Sequence, residues 1–475
     1  MPNKKIPHRV KEFGQTLIEM FPEDMERENV TEREEQLNIA RTVTFQVTDA
    51  CNLACTYCYQ GNKGTHSMPF EIAKELIDKL LSGEGDITRY LNNPPGIILE
   101  FIGGEPMLEI DLIDKVVDYF RMRTLELDHP WAYKYAISFS SNGTLYFDEK
   151  VQRFLKKNQE HTSYSVTVDG IKKVHDACRI FPDGKGSYDL AHGAAMDWYK
   201  GYHNEMASKI TLSPNNIRMY ADCMKQMVLD GYTEINSNCV YEDVWGEEDP
   251  AIAYWQMKEF IDWFHGEGYE NDDVFFSYLN FGTGIPQSPE DNKNFCGGTG
   301  LMLAMDYKGD LYPCLRYMES SIGTNVKPMI IGNVHDGIGC KECEQNCLRC
   351  LNSITRRSQS DDECFYCPIG AGCGWCSGLN YQTYGTPDKR GKALCGMHKS
   401  RALSAVYYWN SYIKEHPDSY MPQGLFVYPE DAIAIVGKEE YEMLKALTLS
   451  VGGKVNEKYK RMYLDKNGEY VGVEE

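Results

Sequence analysis

TVTFQVTDACNLACTYCYQ, residues 42–60, joins a strand pattern to three cysteines within eight positions. Its first seven residues alternate apolar and polar, the period of a β-strand. The remainder carries Cys51, Cys55 and Cys58 at C-x3-C-x2-C spacing. Thiolates crowded in this way select soft metals or iron–sulfur clusters. Structural zinc asks for a fourth protein ligand, and none stands near. His66 lies eight residues past Cys58, outside usual ligand spacing. Such a site is damaged, completed from elsewhere, or open to a small molecule.

Working outward, five further strand-like runs follow at 96–104, 135–143, 163–170, 208–213 and 233–238, separated by helical patterns at 69–81, 112–122 and 216–231. Pro69 suits a first helical turn and Gly231 a C-cap. Six strands alternating with helices predict a parallel sheet with right-handed crossovers, an α/β fold of partial (β/α)6 TIM-like barrel type. Ligands in such folds sit at the carboxyl ends of the strands. The cysteine loop after the first strand and GGEP (103–106) after the second both fall on that rim.

Four segments are expected: a charged helical lead over 1–41, the barrel over 42–285, a cysteine-rich module over 286–400, and a helix with a small acidic tail over 401–475. DKNGEYVG (465–472) reads as an Asn-Gly hairpin rather than a calcium loop. The formal charge of −21 argues against nucleic acid as a partner. No run approaches a membrane span of about 18 apolar residues, and the start lacks the apolar centre of an export signal. A cytoplasmic location is expected. Of 17 cysteines, eleven lie between 296 and 395, so metal ligation outweighs disulfides. Cys178, Cys223 and Cys239 read as buried small hydrophobes, and His175 and His192 as structural or surface residues.

The C-x3-C-x2-C loop, with Tyr57 before its last cysteine and GGEP after the next strand, resembles the radical S-adenosylmethionine (SAM) superfamily. That resemblance implies a four-iron, four-sulfur (4Fe–4S) cluster on Cys51, Cys55 and Cys58, whose free iron chelates SAM. Reductive cleavage there yields a 5′-deoxyadenosyl radical. It also implies SAM contacts from Tyr57, Gly103, Gly104, Glu105, Pro106, Asn142, Thr167, Arg179 and Val240.

Beyond the barrel, Cys296, Gly309 and Cys314 form C-x12-G-x4-C, and Cys364, Cys367, Cys373 and Cys376 form C-x2-C-x5-C-x2-C, followed by Cys395. This resembles the SPASM module of radical SAM peptide maturases, which holds two auxiliary 4Fe–4S clusters, although its usual third interval is x3. The resemblance implies one cluster on Cys364, Cys367, Cys373 and Cys395 and an inner one on Cys296, Cys314 and Cys376. Three clusters are thus expected in all. Cys340, Cys343, Cys347 and Cys350 supply an eighth SPASM ligand, a separate zinc or iron–sulfur site, or spare thiols.

Sulfatase-maturing relatives of this kind carry Asp after the Gx4C cysteine, where this chain has Leu315. The tract around Cys51 is similar to enzymes that form thioethers in cysteine-rich ribosomal peptides. The resemblance therefore implies a precursor peptide as substrate and a flavodoxin- or ferredoxin-type electron donor. Another radical SAM–SPASM oxidoreductase, including one linking two carbons, and a non-enzymatic electron carrier or redox sensor are the other readings. No catalytic proton acceptor is assigned.

Overall fold

In a computed structural model of the chain, the described residues are 40–83, 86–202, 206–269, 274–292, 296–299, 302–456 and 461–473. The expected helical lead lies outside them except for residues 40 and 41, and Arg41 already opens the first strand. The six expected strands are β1 (Arg41–Gln46), β2 (Ile97–Ile102), β3 (Tyr135–Ser141), β4 (Thr162–Thr167), β5 (Ala207–Leu212) and β6 (Glu234–Cys239). Each pairs in parallel with the next, Arg41 opposite Ile97 and Gln46 opposite Ile102 in the first pair. A two-residue strand, β7 (Phe275–Phe276), extends β6. Helices cross over between the strands, including Phe70–Leu81, Ile110–Glu126 and Tyr220–Leu229. Pro69 is the N-cap of the first rather than a residue of its first turn. Gly231 follows the last with φ of +90°, the left-handed position that glycine fills without strain.

The alternation in β1 has a cause other than a solvent-facing side. Both faces are buried, because the polar face looks into the barrel. There Thr44 donates to Glu100 at 2.5 Å and Gln46 to Ser320 at 2.6 Å. Ser320 comes from the cysteine-rich segment, which the sequence presents as short of core residues. The structure corrects that expectation. Strand β8 (Met302–Met305) pairs in parallel with β1, Thr42 opposite Met302, and β9 (Asp310–Tyr312), β10 (Gly332–Asn333) and β11 (Gly337–Ile338) follow antiparallel. One sheet of eleven strands therefore runs across residue 286, in the order β11-β10-β9-β8-β1-β2-β3-β4-β5-β6-β7. Leu303, Ala304 and Met305 are fully buried in the barrel core. Short strands of this kind carry too few residues to show a period.

Helix Cys395–Glu415 packs its Tyr408 against Phe264 and His265 of helix Asp249–Gly266. A second core around Tyr254, Leu403, Val406 and Leu444 ties the tail to the barrel. Arg461–Leu464 and Tyr470–Val473 form the expected hairpin. Among the described residues no helix is long and apolar enough to cross a membrane.

Candidate active site

The cysteine loop is pinned from three directions. Ala54 N–H donates to Ile180 O at 2.7 Å and Thr56 N–H to Cys178 O at 2.9 Å, tying it to the segment after β4. Glu105 N–H donates to Ala50 O at 2.9 Å, tying it to β2. Asn142 Nδ2 donates to Asn52 Oδ1 at 2.8 Å, tying it to β3. The two glycines of GGEP allow this approach. A Cβ on Gly103 would stand 2.7 Å from Thr48 O, and one on Gly104 only 2.3 Å from Ala50 O.

Glu105 is buried, and its carboxylate accepts from Met107 N–H, Ser141 Oγ and Asn142 N–H at 2.8–3.1 Å. Burial raises its pKa and those backbone donors oppose the rise. Pro106 begins the 3₁₀ turn Pro106–Glu109, and the cavity on the strand rim is lined without it. Its part is to set the turn behind Glu105.

Arg179 is a buried partner of Asp169, not a surface ion pair. Its Nε donates to Asp169 Oδ2 at 2.9 Å, and Asp169 is wholly buried. Burial pulls the guanidinium down, but Asp169, Tyr57 and Cys55 outweigh it and hold Arg179 above its ordinary value. Tyr57 donates its hydroxyl to the same carboxylate and lies under the guanidinium, 5.2 Å from ring centroid to Cζ. The other oxygen, Oδ1, accepts from Thr211 N–H of β5 at 3.0 Å. Asp169 is the hub that sequence reasoning missed, because Asp-Gly reads equally well as a turn. His175 supports it: Nδ1 accepts from Asp169 N–H at 3.2 Å, and Nε2 bonds Ser187 Oγ at 3.0 Å. Burial lowers this histidine to about 4.

These residues surround a cavity of about 530 Å³ on the strand rim. Cys51, Cys55 and Cys58 stand on its wall, as do Tyr57, Gly103, Gly104, Glu105, Asn142, Thr167, Arg179 and Val240. The cysteine-rich segment closes the other side with Leu315, Arg316 and Cys376. Arg316 pairs with Glu242 at 2.9 Å across the cavity. Cys239, expected as packing, also lines it, whereas Cys178 and Cys223 are fully buried.

Two further groups of thiols lie in the cysteine-rich segment. Cys314 lies within electrostatic reach of Cys296 and Cys376, and Cys296 Sγ is 2.9 Å from Ser377 Oγ. Cys395 lies within reach of Cys364, Cys367 and Cys373. A cavity of about 600 Å³ has one thiol of each group, Cys296 and Cys373, on its wall.

The chemistry of these donors suits iron–sulfur clusters. Leu53 N–H donates to Cys51 Sγ and Leu379 N–H to Cys376 Sγ, each at 3.4 Å, the kind of contact that stabilises cluster sulfur. Cys395 opens a helix, where the dipole favours a thiolate. Arg390 lies among Cys364, Cys367, Cys373 and Cys395, buried, with Nε and Nη2 lacking any hydrogen-bond partner. A group carrying negative charge between those thiols would satisfy it. Burial pushes Cys55 up to about 11 and Cys364 and Cys373 to about 12, which keeps these three thiols protonated without metal. Among the described residues no three His, Cys, Asp or Glu side chains converge tightly enough for a single metal ion. A four-iron cube needs its thiolates on separate corners.

Residues 45–185 match the model of the Radical SAM superfamily; this half of the barrel is a radical SAM domain. An uncharacterized protein of Methanocaldococcus jannaschii is 30% identical over 193 residues, 40% of this chain and 60% of that protein. The mycofactocin maturase MftC of Mycolicibacterium smegmatis is 24% identical over 60% of this chain and 67% of its own length. The radical SAM cyclopropyl synthase TigE of Paramaledivibacter caminithermalis is 22% identical over 84% of this chain and 82% of its own. The chain thus spans under two thirds of the first of these and most of the last. In fold it is similar to anSMEcpe with bound AdoMet and a peptide, at TM-score 0.56 and 15% identity over 79% of this chain and 98% of that one. It is also similar to Streptococcus suis SuiB bound to its precursor peptide SuiA, at TM-score 0.51 and 13% identity over 76% and 77%.

Proposed function

We propose that this chain is a radical SAM peptide maturase that joins a cysteine sulfur of a ribosomally made peptide to a carbon of another residue. The observation that carries the reading is the shared cavity: Cys376 and Leu315 of the cysteine-rich segment face the cavity that Cys51, Cys55 and Cys58 line. When bound there, SAM and its cluster supply a carbon-centred radical able to take hydrogen from an unactivated C–H. The protein's residues bind, orient and shield. Cys51, Cys55 and Cys58 hold the SAM-binding cluster. Glu105 and the Gly103–Gly104 backbone receive the methionine amine, and Arg179, fixed by Asp169, receives its carboxylate. Asn142 steadies the rim, Thr167 meets the ribose, and Tyr57 and Val240 flank the adenine.

Cys296, Cys314 and Cys376 hold the inner auxiliary cluster, and Cys364, Cys367, Cys373 and Cys395 the outer one. Leu315 puts an apolar side chain where a sulfatase maturase would have a carboxylate. Of the carboxylates on the described cavity wall, Glu105 is already bound by three donors. Glu242, held by Arg316, is left to take the proton of the substrate thiol, and the inner auxiliary cluster that Cys296, Cys314 and Cys376 would hold would accept the one electron released as the C–S bond forms. Relatives named as maturases, and a neighbour solved with its precursor peptide, support a peptide substrate. A cytoplasmic setting with a flavodoxin- or ferredoxin-type donor suits reduced thiols.

The test is to incubate the reduced chain with short cysteine-containing peptides encoded beside its gene. A mass loss of two hydrogens, with 5′-deoxyadenosine released in step, is expected. Glu242→Gln should lower that yield roughly a hundredfold, the lower end of the general acid–base range. Deoxyadenosine release with every peptide unchanged would contradict the reading.

A further inference from the structure

The cavity side of β5 carries a cation without a counter-charge. Along ASKITL (207–212), Ile210 and Leu212 are buried in the core, and the alternate residues Lys209 and Thr211 line the cavity. Acids outnumber bases 70 to 49 in the chain. Yet among the described residues Lys209 has no ion pair and no hydrogen-bond partner for its side chain, which is exposed to the cavity.

The other charged side chains on the described wall are all held. Lys63 Nζ donates to Leu53 O at 3.1 Å. Arg179 is paired with Asp169, and Arg316 with Glu242. Glu105 accepts from three donors. Under the reading above, Arg179 already serves the SAM carboxylate. Lys209 stands elsewhere, four strands along the sheet from the β1 that leads into the cysteine loop.

The neighbouring strand adds a second free group. Lys209 lies opposite Asn236 and Thr211 opposite Asn238, so Asn238 is one step nearer the rim on the same side of β6. Asn236 Nδ2 is engaged with Glu234 Oε1 at 2.7 Å. Asn238 lines the cavity, is exposed to it, and has no side-chain partner among the described residues. A lysine offers three donors and no acceptor, whereas a side-chain amide offers both. The first matches a carboxylate and the second a peptide group. Water serves both side chains while the cavity is empty. A ligand that fills it strips that water away, and a cation so stripped is strongly unfavourable without an anion. The wall therefore penalises a neutral occupant at Lys209 and selects an acidic one.

We propose that Lys209 receives a carboxylate of the peptide substrate, from an acidic side chain or the C-terminus, and that Asn238 pairs with the adjoining peptide group. This rests on the peptide reading above and adds the feature that selects among peptides. The test uses the iron-loaded, SAM-saturated chain and the short cysteine-containing peptides encoded beside its gene, with fluorescence anisotropy as the readout. Each peptide is used unchanged, with Asp and Glu replaced by Asn and Gln, and with its C-terminus amidated. One of the two neutralised forms of a binding peptide should bind at least about tenfold more weakly, as loss of a charged hydrogen bond requires, and which form does so identifies the source of the carboxylate. In Lys209→Gln that difference should vanish while SAM binds as before, and Lys209→Arg should keep part of it. Equal binding of charged and neutral forms by the wild type, or an undiminished difference in Lys209→Gln, would overturn the proposal. So would a tenfold fall in SAM affinity in Lys209→Gln, which would assign the residue to SAM. A peptide that loses two hydrogens yet binds equally in all forms would overturn this inference alone; peptides that neither bind nor change would overturn the maturase reading with it.

Discussion

Asp169 shows how much a single buried carboxylate can organise. It orients Arg179 and Tyr57 and fastens β4 to β5, all without touching the cavity. Asp169→Asn would leave the Arg179 cation buried without its counter-charge, at a cost of about 3–5 kcal/mol. Denaturant unfolding of the metal-free chain should show that loss, and SAM affinity should fall with it; an effect under about 1 kcal/mol would contradict the hub. His175 gives a pH signature. Its folded value of about 4 lies below the ordinary 6.5, so the unfolded chain binds a proton that the folded one refuses. Its contribution is complete above pH 6.5 and is lost as pH falls toward 4, roughly 3 kcal/mol in all. His175→Gln should remove that part of the pH slope, measured by unfolding at pH 7 and pH 5. That Cys51, Cys55 and Cys58 meet Gly103, Gly104 and Glu105 on the strand rim was legible because spacing carries it, whereas the Asp169–His175 network was not. An Asp before a Gly and a solitary His look the same whether they turn a chain or anchor an arginine.

Among elements, the six barrel strands could be read because each is long and its neighbours are helices of clear period. The four strands of the cysteine-rich segment could not. They are two to four residues long, and only pairing, β8 with β1 and each later strand with the one before it, makes them strands. The alternation in β1 shows a strand but not its surroundings, since Thr44 and Gln46 find their partners on β2 and in the later segment. The end of β2 is a demanding junction. Gly104→Ala would drive a Cβ to 2.3 Å from Ala50 O and 2.5 Å from the Cys51 Cβ. A stability loss of about 1–3 kcal/mol is expected, with several-fold poorer iron retention after desalting. Gly61→Ala, whose Cβ would meet nothing within 4 Å, is the control, on the cysteine loop that Gly104 abuts. Equal behaviour of the two variants would contradict the close approach.

Across the whole molecule, one sheet joins the radical SAM domain to the cysteine-rich segment, and one cavity receives side chains from both. That arrangement puts the proposed inner cluster beside the proposed SAM site without a separate docking step. The central claim is the open iron corner of a cluster on Cys51, Cys55 and Cys58. It is tested most directly by reducing the iron-loaded chain, adding SAM labelled with nitrogen-15 at its amino group, and recording electron–nuclear double resonance. The account predicts a nitrogen-15 coupling to the cluster in the wild type and none in Cys55→Ala. A reduced wild-type cluster that shows no coupling under saturating SAM would contradict it.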